Sequence, residues 1–193
     1  MMPRASAAAA AITAQQLLST ATGLFASRGF GAVSVDDVAR ATGVTRGAVY
    51  HHYDNKAGLF LAVATKLQLD VAEAVTRAAE AAGEDALERL QAGSRAFLDA
   101  ITTGPAVQIL LTDAPSVIGW EEWRRLDAEN SAAHLRDALR SIGIASDRLE
   151  ATAVLLSGAM NEAALWIAQH SDPAAARRQA HAALERLLVS IRP

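Results

Sequence analysis

Several side chains that can donate hydrogen bonds follow closely after Gly43. Gly43 and Thr45 are separated by one residue, and Arg46, Tyr50 and His51 come next. Glycine tolerates the left-handed conformation in which many helices end, and a threonine hydroxyl can accept a hydrogen bond from the first turn of a new helix. The spacing therefore predicts two short helices joined by a tight turn. The second helix is rich in donors and poor in acids, which suits contact with the phosphates and base edges of DNA.

The residues before this turn repeat the same construction. Thr13 with Gln16, and Ser34 with Asp37, have the spacing of a capping box at a helix start. The first helix is predicted to end at Gly29. A small core between the three helices is predicted to include Val35, Val38, Ala39, Val49 and Tyr53. Three short helices with such a core form a helix-turn-helix unit.

Five short motifs now follow one another in a fixed order. They read F-A-S-R-G-F at 25–30, S-V-D-D-V-A at 34–39, G-V-T at 43–45, G-A-V-Y-H-H-Y at 47–53 and N-K-A-G-L at 55–59. In these motifs the chain resembles, over residues 17–60, the DNA-binding domain of the tetracycline-repressor (TetR) family of bacterial transcriptional regulators. Two positions depart from the family pattern: Val33 replaces a frequent threonine, and Gly58 stands where a glutamate often completes the cap of the fourth helix.

Arg46 is the main candidate for base recognition, because its guanidinium can make paired bonds to guanine O6 and N7. A solvated arginine or a phosphate contact is the alternative. Thr45 and Ala48 can meet a phosphate or a thymine methyl, and Gly47 allows close approach of the backbone. The resemblance implies that Tyr50, His52 and Lys56 hold phosphates, that His51 reaches bases and that Ser34 contacts phosphate. The predicted DNA-binding residues are Ser34, Thr45, Arg46, Gly47, Ala48, Tyr50, His51, His52 and Lys56.

Charge is unevenly distributed along the 193 residues, whose net charge is −3. Residues 1–60 hold five basic and three acidic side chains, whereas residues 61–193 hold 13 basic and 18 acidic side chains. A mildly positive N-terminal part on an acidic remainder is typical of a DNA-binding domain attached to a domain that stays off DNA.

Several function classes find no support in the sequence. The chain has no cysteine, so thiolate nucleophiles, thiolate metal sites and disulfides are excluded. The motifs of hydrolases, zinc proteases and phosphate-binding loops are missing, and adjacent histidines on a helix point about 100° apart, which does not suit one metal ion. We predict neither an enzyme nor a bound cofactor or metal. No segment is judged apolar enough to span a membrane, so the expected location is cytoplasmic, without a membrane partner.

The rest of the chain reads as helix, and we predict an all-α protein of about nine helices. Residues 1–11 form a flexible arm that can lie beside DNA or remain a frayed tail. Residues 12–60, the head, form the DNA-binding domain, and residues 61–193, the body, form a ligand-binding and dimerisation domain. Further helix starts are predicted at Asn55, Asp85, Gly104–Pro105, Ser146 and Asp172, with a break at Pro115 and Gly119 and a helix from there to about Ser141.

The last two predicted helices carry small residues, such as Ser157 and Gly158, that permit close approach of another helix. Packing inside one subunit is one explanation. The resemblance implies instead that these helices pair with their copies in a homodimer. A dimer places two heads on two half-sites of a near-palindromic double-stranded DNA operator, about 34–36 Å apart.

The resemblance also implies a ligand enclosed by the body. Few charges interrupt the candidate stretches, so a small apolar or aromatic effector is expected. The candidates are Phe97, Ile101, Leu110, Trp120, Trp123, Met160 and Trp166, each of which can equally be plain core. The predicted function is a sequence-specific DNA-binding transcriptional regulator, a repressor released by that effector. The alternative is a helical small-molecule-binding or adaptor protein that does not bind DNA.

Overall fold

The computed structural model describes residues 3–191, with side chains throughout that range except at residues 3–8, 127–128 and 130–132. Within it the chain is helical and no strand is present. The helices are α1 (Pro3–Ala32), α2 (Val35–Thr42), α3 (Arg46–His52), α4 (Lys56–Ala81), α5 (Ala86–Ile101), a π-helix (Val107–Asp113), α6 (Ala114–Val117), α7 (Trp120–Ser141), α8 (Ser146–Gln169) and α9 (Pro173–Ser190).

The first helix begins earlier than its cap signal predicts. Helical backbone is present from Pro3, and the Thr13 hydroxyl donates to the Ala9 carbonyl oxygen at 3.0 Å instead of capping a new helix. Alanine has the highest helix propensity, so the alanine-rich stretch before Thr13 continues the helix through the predicted start. The predicted start at Thr13 is therefore wrong. The predicted end at Gly29 appears as a sharp kink, with φ of 74° at that residue.

The head packs around a small apolar core contributed by α1, α2, α3 and the start of α4. Phe25 and Phe60 are fully buried, and their rings meet edge to face with centroids 5.3 Å apart. The predicted core residues Val38 and Val49 are also buried. Tyr53 follows α3, and its hydroxyl donates to the Ala14 carbonyl oxygen of α1 at 3.2 Å. These contacts fix α3 against the rest of the head.

Helix α4 joins the head to the body without interruption. Asn55 caps it as predicted, its side-chain oxygen accepting a bond from the Gly58 N–H at 2.9 Å. Further along, α5 approaches α4 closely at Gly93, where an added Cβ would lie 3.3 Å from Val75 Cγ1. Helix α9 in turn is tied to α5, because Arg177 donates two bonds of 3.0 Å to Thr102. The helices of the body thus pack together around the part of α4 that lies beyond the head.

A π-helix occupies the stretch in which the sequence predicts a sixth helix and a break at Pro115. The chain turns directly from the π-helix into α6, with Pro115 in its first turn, and the interruption falls at Gly119, where φ is 86°. Proline lacks an N–H that the first turn of a helix does not need, so it does not break the chain there. The predicted break at Pro115 is therefore wrong, whereas the break at Gly119 is present and the following helix ends at Ser141 as expected.

Helix α8 differs from its prediction in two respects. Ala145, not Ser146, occupies the cap position, and no side chain caps the helix. By length and composition alone, Ser146–Gln169 is apolar enough to cross a membrane, with mean hydropathy 1.3, so the expectation that no segment reaches that level is wrong. The helix packs on α7, α5 and α9, but only 33% of its most apolar window is buried. An apolar face therefore remains uncovered in a single chain.

Candidate nucleic-acid interface and ligand cavity

The turn between α2 and α3 is built by local hydrogen bonds. Gly43 adopts φ of 77°, and its N–H and that of Val44 bond back to carbonyl oxygens of α2. Thr45 then caps α3, its hydroxyl oxygen accepting a bond from the Ala48 N–H at 3.2 Å. Val49 is the buried residue of α3, so most of this short helix faces away from the core. The predicted helix-turn-helix geometry is present.

Arg46 opens α3 and is held by two neighbours. Its Nη1 lies 3.2 Å from Asp36 Oδ2, and its Nη2 donates to the Tyr50 hydroxyl oxygen at 3.1 Å. The guanidinium carbon is also 5.4 Å from the Tyr50 ring centroid. The hydrogen bond with Tyr50 and the negative charge of Asp36 raise the pKa of Arg46 above its ordinary value. The planar donor fork is thus oriented before any ligand arrives.

The other predicted contacts of α3 share the same side of the head. Thr45, Gly47, Tyr50 and His51 are exposed, whereas Ala48 and His52 are half-buried. The His51 and His52 ring centroids lie 5.5 Å apart, with the ring planes at 69°. Within the described part of the chain, no group of three potential ligands could hold a metal ion. Of these residues, Thr45, Tyr50 and His51 carry exposed side chains that can donate to an external ligand.

Lys56, the first residue of α4, is anchored against an aromatic ring. Its Nζ lies 4.0 Å from the centroid of the Phe30 ring, and the side chain is half-buried. A cation over an aromatic face is attracted by the ring quadrupole, whose negative side is the face. The ammonium group is consequently positioned at the edge of the head, where the resemblance predicts a phosphate contact.

Ser34 caps α2, and its hydroxyl is engaged in the free chain. The hydroxyl oxygen accepts from the Asp37 N–H at 3.1 Å, and the hydroxyl donates to Asp37 Oδ2 at 2.7 Å. The bonds that the Asp37 carboxylate accepts from the Ser34 hydroxyl and then from the Ser34 N–H lower the pKa of Asp37. Ser34 would have to rotate its O–H away from Asp37 to donate to a phosphate.

A cavity of about 410 Å³ lies between α4, α5, α7 and α8. This volume falls within the usual range of sites for small ligands, about 300–1,000 Å³. Its apolar wall is formed by Val75, Ala79, Leu90, Phe97, Leu135 and Met160. The buried side chain of Ser94 also faces it, and the exposed side chains of Glu80, Glu84, Arg89 and Asp137 stand at its rim. The cavity suits a molecule that is mainly apolar.

Two family models match this chain. The model described as "Bacterial regulatory proteins, tetR family" matches residues 17–63, and "Tetracyclin repressor-like, C-terminal domain" matches residues 87–191, more than half of the chain. The chain belongs to the TetR family. Membership confirms the predicted all-α fold and the predicted class, a DNA-binding regulator and not an enzyme.

Individual TetR-family proteins agree with this assignment. A transcriptional regulator from Pectobacterium atrosepticum has a crystal structure with TM-score 0.78 and 32% identity, covering 95% of this chain and 96% of that protein. The TetC protein of transposon Tn10 from Escherichia coli is 34% identical over 119 residues, which is 61% of this chain and 58% of TetC. The repressor AcnR of Corynebacterium glutamicum is 39% identical over 62 residues, 32% of this chain and 33% of AcnR. The chain thus spans little more than half of TetC and a third of AcnR.

The residues predicted to hold a ligand are spread over several places in this TetR-family body. Phe97 and Met160 line the cavity. Ile101 and Leu110 are buried in the core outside its lining, as is Trp123, which is 2% exposed and donates from Nε1 to the Leu110 carbonyl oxygen at 2.8 Å. Trp120 is 58% exposed and stacks on Trp123, and Trp166 is exposed beside His170. Of the predicted set, the structure brings only Phe97 and Met160 to the cavity.

One contact between head and body was not anticipated from the sequence. Asp113, the last residue of the π-helix, accepts a bond from the Phe30 N–H at 2.8 Å, and Gln108 Nε2 donates to its other oxygen at 3.1 Å. The kink at Gly29 turns this N–H out of the helical pattern. The sequence signal for this contact is Gly29 directly before Phe30, because glycine tolerates the positive φ of such a kink. That signal does not identify Asp113 as the acceptor.

Proposed function

We propose that this chain is a sequence-specific transcriptional regulator that binds a near-palindromic double-stranded DNA operator as a homodimer. The observation that carries the proposal is the exposed face of α3, on which Arg46 and Tyr50 present oriented donors while Val49 fixes the helix to the core. A helix so displayed fits the major groove, in which base pairs offer distinct acceptors. We further propose the division into the head, residues 12–60, and the body, residues 61–193, with residues 1–11, which are helical from Pro3, as an N-terminal extension of the head.

The dimer is proposed to form through α8 and α9. The inner face of α9 is buried against the body, whereas Leu187 and Val189 on its outer side are exposed. On α8, Val154, Leu155 and Trp166 are exposed, with Leu155 at 73%. Exposed apolar side chains on two adjacent helices suit a second copy of the same helices. TetR-family regulators are dimeric, which supports this arrangement.

The effector is proposed to be a small apolar or aromatic molecule bound in the cavity. Val75, Thr76 and Ala79 of α4 line the cavity, and Lys56 at the other end of the same helix stands at the predicted DNA surface. A ligand that fits one orientation of α4 better than another shifts the spacing of the two heads. To move the dimer from mostly bound to mostly released, the ligand must prefer the released arrangement by several kcal/mol, up to about 5.5.

Repression is proposed as the default action, and cytoplasm as the location. AcnR, which carries the name of a repressor, is 39% identical to this chain over 62 residues. A dimer that covers an operator blocks access to the DNA, and a ligand that releases the dimer restores it. A reporter gene placed behind the selected operator tests the direction: deletion of the regulator should raise expression, whereas a fall would identify an activator.

The proposal is tested by selecting operators from a pool of random duplexes with the full-length protein. We expect an inverted repeat with half-site centres about 10 base pairs apart or a multiple of that spacing, and a dimer mass in solution. Leu155→Glu should produce monomers and lower operator affinity at least about a hundredfold, because one head then binds alone. Leu69→Glu, at an exposed position of α4, is the matched control and should remain dimeric. Selection of no sequence, with no salt-dependent binding to random duplex, would favour the adaptor alternative.

The effector site is tested with a variant that fills it. Compounds are screened for release of the selected operator, and Ala79→Trp should abolish the response while operator affinity without ligand is retained. Leu69→Trp, at an exposed position of the same helix outside the cavity lining, is the control and should respond normally. A tightly bound ligand with several negative charges, or one that leaves DNA affinity unchanged, would contradict the proposal.

A further inference from the structure

Asp36 is placed where it can influence what Arg46 binds. It is the second residue of α2, and its carboxylate lies across the tight turn, 3.2 Å from Arg46 Nη1. Both side chains are more than half exposed, at 52% for Asp36 and 59% for Arg46. The pair therefore lies on the surface that meets an external ligand. The capping box of α2 is formed by Ser34 and Asp37, so the cap does not require the Asp36 carboxylate.

Both terminal nitrogens of Arg46 are engaged in the free protein. Asp36 accepts from one, and the Tyr50 hydroxyl oxygen accepts from the other at 3.1 Å. Each of these nitrogens carries a second N–H and Nε carries another, so a nucleic-acid ligand can bind beside these two acceptors. A phosphate and the O6/N7 edge of guanine can both accept two bonds from arginine. Hydrogen-bond number therefore does not separate the two ligands.

Charge does separate them. A phosphate bound to Arg46 comes within a few ångströms of the Asp36 carboxylate, and two negative groups at that distance repel each other. The guanine edge is neutral and suffers no such repulsion. Asp36 consequently raises the free energy of the phosphate contact more than that of the base contact, and discrimination between ligands arises from such differences.

We propose that Asp36 is a specificity-determining residue, an inference that rests on the DNA-binding function proposed above. It weakens the binding of phosphates by Arg46 and so leaves Arg46 available to a guanine edge. Asp36 acts through Arg46 and is a positioning residue. The effect is of the size of an exposed ion pair, about twofold to fivefold in affinity.

The test compares Asp36→Asn with the unaltered full-length protein on a duplex selected from a random pool and on a scrambled duplex of the same length. We expect Asp36→Asn to bind the scrambled duplex about twofold to fivefold more tightly and to gain less on the selected site, so the specificity ratio falls. The salt dependence on scrambled DNA should steepen by about one unit, because Arg46 gains a phosphate contact.

Two control variants isolate the effect. Asp54→Asn removes the same charge from the exposed turn before α4, at a residue that is not one of the hydrogen-bond partners of Arg46, and should leave the specificity ratio unchanged. In the Arg46→Ala background, Asp36→Asn should no longer lower the ratio. Asp36→Ser, measured alongside with thermal unfolding, serves as a second carboxylate removal should asparagine weaken α2.

The outcomes distinguish this inference from the function on which it rests. If the unaltered protein selects no sequence, the proposed function fails and Asp36 has no role to perform. If the protein selects a sequence but Asp36→Asn and Asp54→Asn change the ratio equally, only the role of Asp36 is overturned. A lowered ratio for Asp36→Asn alone, lost in the Arg46→Ala background, supports it.

Discussion

The face of α3 and the cavity of the body, which we propose to bind DNA and an effector, are built in different ways. On α3 the binding groups are exposed and held by partners close in sequence, as Arg46 is held by Tyr50 and Asp36. The cavity is open at its charged rim, and its apolar wall comes from residues as far apart in the chain as Val75 and Met160. A change at the face should therefore alter ligand recognition without altering folding. A change at a fully buried side chain of the body should instead alter folding.

The largest expected effect concerns Trp123, which is buried beneath the π-helix. Trp123→Ala removes a side chain that is 2% exposed and a bond to the Leu110 carbonyl oxygen, and should lower the free energy of unfolding by about 3–5 kcal/mol. Trp120→Ala, at 58% exposure, is the matched control and should cost about 1 kcal/mol or less. Denaturant unfolding measures both. Equal losses of unfolding free energy in the two variants would contradict the described burial of Trp123 and exposure of Trp120.

The next effect concerns recognition by α3. Arg46→Ala should cost about 1–3 kcal/mol in operator binding and relax preference at one base per half-site. Lys56→Ala should weaken binding to all sequences alike and reduce the salt slope by about one unit. Both are read from binding isotherms on selected and scrambled duplexes, with denaturant unfolding as a control for stability. The assigned readout is wrong if Arg46→Ala keeps both the affinity and the base preference of the unaltered protein.

A smaller effect is expected where head and body meet. Asp113→Ala leaves the half-buried Phe30 N–H without its acceptor and should cost about 1 kcal/mol. Hydrogen exchange at the Phe30 amide should become faster, because that amide loses its protecting bond. Asp113→Asn keeps an acceptor oxygen and should retain most of the protection. Unchanged exchange in the alanine variant would contradict the assigned contact.

The smallest effect concerns pH. The pKa of Asp37 is lowered in the folded head, chiefly by its bond with the Ser34 hydroxyl and then by the Ser34 N–H. A group with a lowered folded pKa stabilises the fold above its unfolded pKa, about 3.9, and loses that contribution as pH falls through the folded value. The head should therefore become less stable below about pH 4, and Asp37→Asn should flatten this dependence. Thermal unfolding between pH 6 and about pH 3 measures both proteins; parallel curves would contradict the assignment.

The helix starts that could be predicted are those with a side-chain cap. Ser34, Thr45, Asn55, Asp85 and Asp172 each accept a bond from the first turn of the helix that follows, as expected from their residue types. A cap signal is local, so it needs no knowledge of the tertiary fold. For the same reason the turn around Gly43 and the exposed position of Arg46 were accessible from the sequence.

Thr13 and Trp120 show why the remaining features were not predictable. The cap signal of Thr13 is present, but the helix propensity of the alanines before it prevails. Trp120 and Trp123 are the same residue type three positions apart, yet one is exposed and the other buried, a difference that depends on the chain packed above them. The π-helix has no sequence signature that separates it from an α-helix. The cavity, built from four helices, depends on all these distant contacts.

The length of α4 determines how far a small tilt of this helix in the body displaces the head. Its 26 residues span about 39 Å at the usual rise per residue. A tilt of about 5° at the cavity end therefore moves the Lys56 end by about 3 Å, roughly the length of one hydrogen bond. In a symmetric dimer the two displacements combine, so a small rotation in the body is enough to take both recognition helices out of register with the DNA.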